Sequence, residues 1–183
     1  MDKLIKKAIV RCEKKIQSKK KIGIDPVFSE SDFERLLVNE IERSLKRNKK
    51  TEYVVHTQIS YYDGSEKSSP RYRVDILLMN NDKIKYKNSQ HKAFVYGAEA
   101  YALEIKYLHK DDYVMNIRKD FRKAKRLIES NTVLYVVILL EEEDNNKKTI
   151  IKNLYLQYQK KIKKTSMLQC EVICKIKNNV VRQ

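Results

Sequence analysis

Two acidic residues and one lysine lie within apolar, strand-forming stretches of this sequence. Asp75 directly precedes the apolar residues 76–78, and Glu104 and Lys106 belong to the run YALEIKY at residues 101–107. Apolar positions alternate with Ala, Glu and Lys in that run, which is the period of a β-strand, so Glu104 and Lys106 project from the same face. If the strand that begins at Asp75 lies beside this one, both carboxylates and the ammonium group converge on one point.

This combination of groups has a definite chemical use. Two carboxylates a few ångströms apart repel each other unless a cation lies between them, and their hard oxygen atoms suit Mg²⁺. A metal in that position can hold a phosphate oxygen and lower the pKa of bound water, while a lysine steadies the attacking hydroxide or the phosphate. The pattern therefore favours metal-assisted hydrolysis of a phosphate ester.

The arrangement resembles the PD-(D/E)XK nuclease superfamily, with Asp75 as the motif aspartate and Glu104-Ile105-Lys106 as E-x-K. Where the family has proline before the aspartate, this sequence has Val74, a departure outside the chemistry because only the aspartate would bind metal. The resemblance implies that Asp75, Glu104 and the backbone carbonyl of Ile105 bind Mg²⁺ or Mn²⁺. It also implies that Lys106 orients or activates the attacking water.

Residues 28–48 are predicted to form an amphipathic helix. Ser29 is a suitable N-cap with Asp32 three residues later, and Ser31 with Glu34 offers the same capping geometry further along. The apolar positions recur at helical spacing and mark the face that should be buried. They are Phe33, Leu37, Ile41 and Leu45.

Two glutamates at the start of this helix are candidates for a role at the metal site. Glu30 falls on the apolar stripe, and Glu34 lies close to it. A glutamate on the helix before the aspartate strand faces the metal in the nuclease superfamily, so the resemblance assigns this role to Glu30 first, with Glu34 as the alternative. Either residue could instead simply favour the helix N-terminus, an effect of ~0.3–1 kcal/mol.

The charge of the chain points to a polyanionic partner. It contains 40 Lys and Arg against 24 Asp and Glu, a net charge of +16, and such a surplus is typical of proteins that bind nucleic acid. A lysine-biased composition contributes as well, since glycine and proline are scarce. The basic helix predicted at residues 3–21 could contact a nucleic-acid backbone or could simply present a solvated face.

A second basic helix is predicted at residues 111–130, directly after the E-x-K strand, where it would suit the binding of phosphates. With one arginine that precedes Asp75, its cations form the predicted nucleic-acid surface. These residues are Arg73, Arg118, Lys119, Arg122, Lys123 and Arg126.

Other classes of function are disfavoured. Three glycines exclude a Walker A motif or a GxGxxG loop. The three histidines are far apart, and the three cysteines match no zinc-site spacing, so an intracellular, cytoplasmic protein with free thiols is expected. No apolar run approaches the ~20 residues needed to span a bilayer, and no signal peptide is expected, so a membrane is not a predicted partner.

The order of elements predicts the fold. Two helices are followed by three strands, a helix, a strand, a helix and a last edge strand, with a polar excursion at residues 80–96. Residues 29–140 match the α-β-β-β-α-β core of the superfamily, which implies a restriction-endonuclease-like three-layer α/β/α fold with a mixed sheet of about four to five strands. One domain is expected over residues 1–183, with the helix at residues 3–21 and the segment 149–183 as additions.

The predicted function is therefore that of a Mg²⁺- or Mn²⁺-dependent nuclease. The resemblance favours a DNA endonuclease of a defence or restriction, repair or junction-cleaving type, and it raises a homodimer as one expected assembly. DNA is favoured over RNA by the resemblance and not by any residue. The alternative is a non-catalytic nucleic-acid-binding protein on the same fold, in which Asp75 and Glu104 are structural acids.

Overall fold

The computed structural model describes residues 1–61, 72–88, 91–96, 100–122, 132–162 and 164–176. The helices in these ranges are α1 (Asp2–Lys21), α2 (Glu30–Arg47), α3 (residues 118–122 of the described chain) and α4 (Asn145–Gln159). The strands are β1 (Tyr53–Tyr61), β2 (Tyr72–Asn80), β3 (Ile84–Asn88), β4 (His91–Tyr96), β5 (Ala100–Leu108), β6 (Thr132–Glu142) and β7 (Leu168–Ile176). Short 3₁₀ turns occur at Asn81–Lys83, Val114–Ile117 and Thr165–Met167.

All of these strands belong to one mixed sheet with the order β3-β4-β1-β2-β5-β6-β7. The β1–β2 and β2–β5 pairs are antiparallel, whereas the β5–β6 and β6–β7 pairs are parallel. The sheet predicted from the sequence corresponds to five of these strands, β1, β2, β5, β6 and β7. The polar excursion forms the antiparallel hairpin β3–β4, which joins the sheet through the parallel pair Tyr61–Phe94 and raises the number of strands to seven.

Helices cover both faces of the sheet, so the predicted three-layer α/β/α architecture is confirmed. In β6, Tyr135 and Val137 pack into the core beneath α1 and α2, whereas Leu134 and Val136 pack into the core that contains Phe121 of α3 and parts of α4. A parallel strand that is buried on both faces has an unbroken apolar sequence. This explains why β6 is the longest apolar run in the chain.

The first helix and the last strand are integral to these layers. The apolar side of α1 is buried against α2 and β7, and Gln17 donates a hydrogen bond of 2.9 Å to the backbone carbonyl of Cys174. Lys6 on the polar side contacts Gln169 at 3.1 Å. The helix predicted at residues 3–21 is thus confirmed, and its apolar stripe serves the core. The buried members of that stripe are Ile5, Ala8, Ile9, Cys12 and Ile16.

A capping box fixes the start of α2. The Ser29 hydroxyl accepts a hydrogen bond from the Asp32 backbone N–H at 3.2 Å, and the Asp32 carboxylate accepts one from the Ser29 N–H at 3.2 Å. Of the two predicted caps, the one at Ser29 is therefore the one that forms, and Glu30 becomes the first residue of the helix. Below it, Phe33 and Leu37 are fully buried against the sheet.

Two predicted helix boundaries are wrong. The helix predicted after the buried strand, in the segment that starts at residue 149, instead begins at Asn145 and ends at Gln159. Asp144 accepts a hydrogen bond from the Lys147 N–H at 2.9 Å and caps this helix. The helix predicted at residues 111–130 begins with the 3₁₀ turn Val114–Ile117 and is helical at residues 118–122. Its remaining residues, 123–130, lie outside the described part of the chain.

The cysteines agree with a further expectation. Cys12, Cys170 and Cys174 all carry free thiols. Among the described residues, the helices are too short or too polar for any of them to traverse a lipid bilayer.

Candidate active site

The strands β2 and β5 separate at the point where the predicted acidic residues lie. Their pairing runs through three facing positions and ends where Ile76 faces Leu103; the same register would next bring Asp75 opposite Glu104. Instead of a backbone hydrogen bond, the Asp75 carboxylate accepts one from the backbone N–H of Ile105, with 2.7 Å between Oδ2 and N. The structure thus brings Asp75 into direct contact with the E-x-K segment.

A second carboxylate occupies the next position along the same edge of β5. The backbone N–H of Tyr107 donates to Glu30 Oε2 at 3.4 Å. Because N–H groups two residues apart point to the same edge of a strand, Ile105 and Tyr107 present two donors that β2 no longer satisfies. Asp75 and Glu30 accept from these donors, and we refer to this pair of N–H groups as the open edge of β5.

Lys106 lies between these two donors in the sequence and pairs with the same glutamate. Its Nζ is 2.9 Å from Glu30 Oε2. Burial disfavours the ammonium form, but the hydrogen bond and the charge of Glu30 outweigh it, with further contributions from Asp120 and Asp75, so the pKa of Lys106 is raised. The lysine is therefore held in its charged form beside the carboxylates.

Glu34 belongs to the same group of side chains. The amide of Gln58 donates to Glu34 Oε2 at 2.6 Å and makes a longer contact of 3.4 Å with Asp75 Oδ1. Partial burial raises the pKa of Glu34, the hydrogen bond from Gln58 opposes this rise, and the nearby charges of Asp75 and Glu30 add to it, so that the pKa is raised overall. The acidic groups are thus close enough to repel one another.

The sequence presented Glu30 and Glu34 as alternatives, but the structure places both at the site. They are four residues apart on α2 and therefore lie on one side of its first turn. Glu30 reaches Lys106 and the open edge of β5, while Glu34 reaches Asp75 through Gln58. The helical spacing of the two glutamates was the signal that could have predicted this division.

Two further carboxylates are buried near this group. Glu104 is only 2% exposed, and Asp120 of α3 is 7% exposed. The charge of Asp120 contributes to the raised pKa of Lys106, so this aspartate belongs to the electrostatic environment of the site. Asp120 is three residues after the buried Ile117, a helical spacing that could have indicated its inward position.

Gln58 could not have been predicted from the sequence, in which it is one polar residue of an ordinary strand. Its φ of +51° places it in the left-handed region, which a non-glycine residue adopts at a cost of about 1–3 kcal/mol. The residues on either side are regularly paired, Thr57 with Ile76 and Ile59 with Val74. The unusual backbone is therefore confined to the position opposite Asp75.

The described members of the predicted nucleic-acid surface are exposed. They are Arg73, Arg118, Lys119 and Arg122. The charge of Arg73 slightly opposes the raised pKa of Glu34, which places this arginine near the acidic group. The other two predicted contacts, Lys123 and Arg126, lie outside the described residues.

The donor groups suit a hard divalent cation. Several carboxylates lie close together: burial raises the pKa of Glu34, and the nearby charges of Asp75 and Glu30 add to this rise. A cation would offset the repulsion between these charges. Among the described residues, no group of three or more His, Cys, Asp or Glu side chains is arranged so as to hold a metal ion. The expected ligand set requires two carboxylates and a backbone carbonyl, so the donors at Asp75, Glu104 and Ile105 fit such an ion in number and type.

Comparison with models of known protein families, with curated protein sequences and with solved structures found no match to this chain.

Proposed function

We propose that the protein is a metal-dependent nuclease of the PD-(D/E)XK type that hydrolyses phosphodiester bonds, with DNA as the favoured substrate. The observation that carries this proposal is the open edge of β5. There the carboxylates of Asp75 and Glu30 come from two different elements and bind the N–H groups on either side of Lys106. Two acids and a lysine from the three elements α2, β2 and β5 therefore meet at one strand edge.

Each residue of the site has a distinct task in this proposal. Asp75, Glu104 and the backbone carbonyl of Ile105 would hold Mg²⁺ or Mn²⁺, and the bound metal would polarise the phosphate and lower the pKa of a water molecule. Lys106 donates hydrogen bonds to the attacking water or to a phosphate oxygen. Glu30 is a positioning residue, because its contact with Lys106 at 2.9 Å fixes the ammonium group and keeps it charged.

One observation favours the alternative of a non-catalytic nucleic-acid-binding protein. No three metal-binding side chains are arranged around one point in the described part of the chain, and Glu30 and Gln58 already satisfy Lys106 and Glu34. The two functions differ in a direct assay. A nuclease shortens nucleic acid when Mg²⁺ is present and stops when EDTA removes the metal, whereas a binding protein leaves its ligand intact in both conditions.

The exposed cations of α3 should contribute to phosphate binding. Replacing both Arg118 and Arg122 by alanine is expected to weaken nucleic-acid binding at 100 mM salt by about tenfold and to reduce the slope of log K against log salt by roughly 1–2. Fluorescence anisotropy over a range of salt concentrations measures both quantities. The matched control replaces the exposed Lys152 of α4 and Lys160 directly after it, and should change neither quantity by as much. If the two double variants weaken binding equally, the cations of α3 contribute no more to phosphate binding than those of α4.

A further inference from the structure

A groove of about 230 Å³ lies between the first half of α1 and the end of α2, and we refer to it as the α1–α2 groove. Its polar lining consists of four cationic side chains, one hydroxyl and one amide, from Lys3, Lys7, Arg11, Ser44, Asn48 and Lys50. None of the described residues that line it is acidic, although Glu52 Oε1 lies 3.6 Å from the Lys50 ammonium group. Positive charge concentrated on the walls of a cleft attracts an anion.

The Arg11 side chain is held in this groove by a buried serine. Its Nη1 donates a hydrogen bond of 2.9 Å to Ser44 Oγ, and the Ser44 hydroxyl, which is 1% exposed, donates to the backbone carbonyl of Glu40 at 2.7 Å. A hydroxyl fixed in this way orients the guanidinium group but does not neutralise its charge. A guanidinium group has five N–H donors in a planar fork that matches the oxygens of a phosphate, and the contact with Ser44 uses one of them.

The cations of α1 differ in whether α2 neutralises them. Lys15 Nζ lies 3.3 Å from Glu40 Oε1, whereas Arg11, one turn earlier in α1, meets a serine of α2 in place of an acid. No carboxylate of the described chain contacts Lys3, Lys7 or Arg11. The positive charge of the α1–α2 groove is therefore not balanced from within the described part of the protein.

We propose that the α1–α2 groove binds phosphates of a nucleic-acid backbone; this inference rests on the proposed function only in taking nucleic acid as the ligand. Lys3, Lys7 and Arg11 recur every four residues, so they follow one another at about 6 Å along α1. A nucleic-acid strand of a duplex presents one phosphate for about every 3.4 Å of its rise. A row of cations along the helix can therefore follow one strand.

A nucleic acid fits this surface better than a lipid membrane does. A helix that binds a lipid surface inserts its apolar side between the lipids. The apolar side of α1 is buried in the core against α2 and the sheet, so it is not accessible for insertion. The cations that remain at the surface can bind a polyanion without any such insertion.

The α1–α2 groove is separate from the candidate active site. The contacts of Arg11 with Ser44 and of Lys15 with Glu40 show that α1 and α2 run antiparallel, and they place the groove toward the C-terminal end of α2. Ser44 is 14 residues after Glu30 in α2, which is about 21 Å along the helix axis. A phosphate in the groove therefore contributes to binding and takes no part in the reaction.

The test measures binding of labelled single-stranded DNA, duplex DNA and RNA of about 20 nucleotides by fluorescence anisotropy over a range of salt concentrations. The double variant Lys7→Gln with Arg11→Gln removes two charges and keeps polar side chains in their place. It is expected to weaken binding about tenfold at 100 mM salt and to lower the slope of log K against log salt by roughly 2 for the duplex. Lys3→Gln with Lys7→Gln, which leaves the contact between Arg11 and Ser44 intact, should lower the slope equally.

The matched control is Lys152→Gln with Lys160→Gln, which removes two exposed cations in and directly after α4, on the opposite face of the sheet. It should keep the slope of the parent. If both groove variants bind as the control does, the α1–α2 groove is not a phosphate site. If the parent binds vesicles of phosphatidylserine and phosphatidylcholine but none of the nucleic acids, the ligand is a lipid surface and the inference is overturned.

The same variants separate this inference from the proposed nuclease activity. At saturating nucleic acid, both groove variants should cleave at the parent rate, because their loss is confined to binding. A parent protein that binds nucleic acid and never cleaves it would overturn the nuclease proposal, while the effect of the groove variants on binding would still support the phosphate site. A groove variant that binds as the parent does would overturn the phosphate site alone.

Discussion

Replacing Glu104 by glutamine is expected to slow nucleic-acid cleavage by at least about 10³-fold, the order of loss seen when one charge-stabilising group is removed from an active site. Glutamine keeps the shape of the side chain, which matters because Glu104 is 2% exposed and any loss of volume would disturb its packing. It removes the negative charge with which Glu104 would hold the metal ion. Nucleic-acid binding should change by less than about twofold, because the phosphates are bound by exposed cations elsewhere.

The measurement for this variant combines a single-turnover cleavage rate with a binding isotherm for the same oligonucleotide. Glu142→Gln serves as the matched control, since Glu142 is an exposed glutamate at the end of the neighbouring strand β6. It should cut and bind as the parent does. A Glu104→Gln protein that cuts at the parent rate would show that this carboxylate takes no part in the reaction and that the assignment of the E-x-K motif is wrong.

Replacing Asp25 by asparagine is expected to lower the free energy of unfolding by about 3 kcal/mol, near the lower limit for breaking a buried ion pair. Lys175 is only 2% exposed, and its Nζ lies 2.7 Å from Asp25 Oδ2 and 2.8 Å from the Tyr107 hydroxyl. Without the carboxylate, the ammonium group stays buried and has the phenol and a neutral amide as its neighbours. Urea unfolding measures the loss.

Replacing the other partner of the ion pair, Lys175, should lower the free energy of unfolding much less. Lys175→Met removes the buried charge and leaves Asp25 with Lys20 at 2.8 Å and with the Val27 N–H at 3.1 Å, so we expect a change within about 1 kcal/mol. Asp25 is also partly exposed and can be hydrated. Equal destabilisation by the two variants would contradict this account, because it would show that the charge of Lys175 is not the group that becomes costly when its partner is lost.

The pH dependence of this ion pair follows from the directions of its pKa shifts. Burial raises the pKa of Asp25, but the hydrogen bonds from Lys175 and Lys20 outweigh it and the pKa is lowered; its contribution is therefore complete above the unfolded pKa of about 4 and is lost as pH falls through the folded value. Burial lowers the pKa of Lys175, but Asp25 and Tyr107 outweigh it and the pKa is raised. Its contribution is complete below an unfolded pKa of about 10.4 and is lost as pH rises past the folded value. The loss of unfolding free energy caused by Asp25→Asn should thus be constant from roughly pH 5 to pH 9.

This ion pair also concerns the candidate site, because it holds the end of β5. Tyr107 receives the Lys175 ammonium on its hydroxyl and donates its backbone N–H to Glu30. Lys175 of the last strand and Asp25 of the loop before α2 are thereby linked to the strand that carries Lys106. The C-terminal segment, which the sequence suggested was an addition to the core, is part of the support of the site.

Local patterns in the sequence were sufficient to predict most of the architecture. The alternation around Glu104 and the unbroken apolar run of β6 express burial on one or both faces of a sheet, and these patterns do not depend on distant residues. The cap at Ser29 acts over three residues and was equally visible. The start of α4 lies before the predicted segment because Asp144, the last of a run of acidic residues, caps the helix with its side chain.

The geometry of the site depends on contacts between distant residues and was harder to predict. Glu30 and Tyr107 are 77 residues apart, and only the folded chain shows that an N–H of β5 is satisfied by the first residue of α2. The left-handed backbone at Gln58 likewise has no sequence signal, since glutamine does not favour positive φ. Asp120 lies among basic residues in the sequence, and its proximity to Lys106 depends on the packing of α3.

The most direct test of the central claim is metal-dependent cleavage of a panel of single-stranded, duplex and branched DNA and RNA by the parent and by Lys106→Ala. The parent is expected to cut at least one substrate with Mg²⁺ or Mn²⁺ and none with EDTA, and Lys106→Ala should be slower by about 10²–10⁴-fold. Lys110→Ala, which changes an exposed lysine four residues later, should cut at the parent rate. If the parent binds the nucleic acids but cleaves none of them with either metal, the nuclease proposal is contradicted. The protein would then be a non-catalytic nucleic-acid-binding protein.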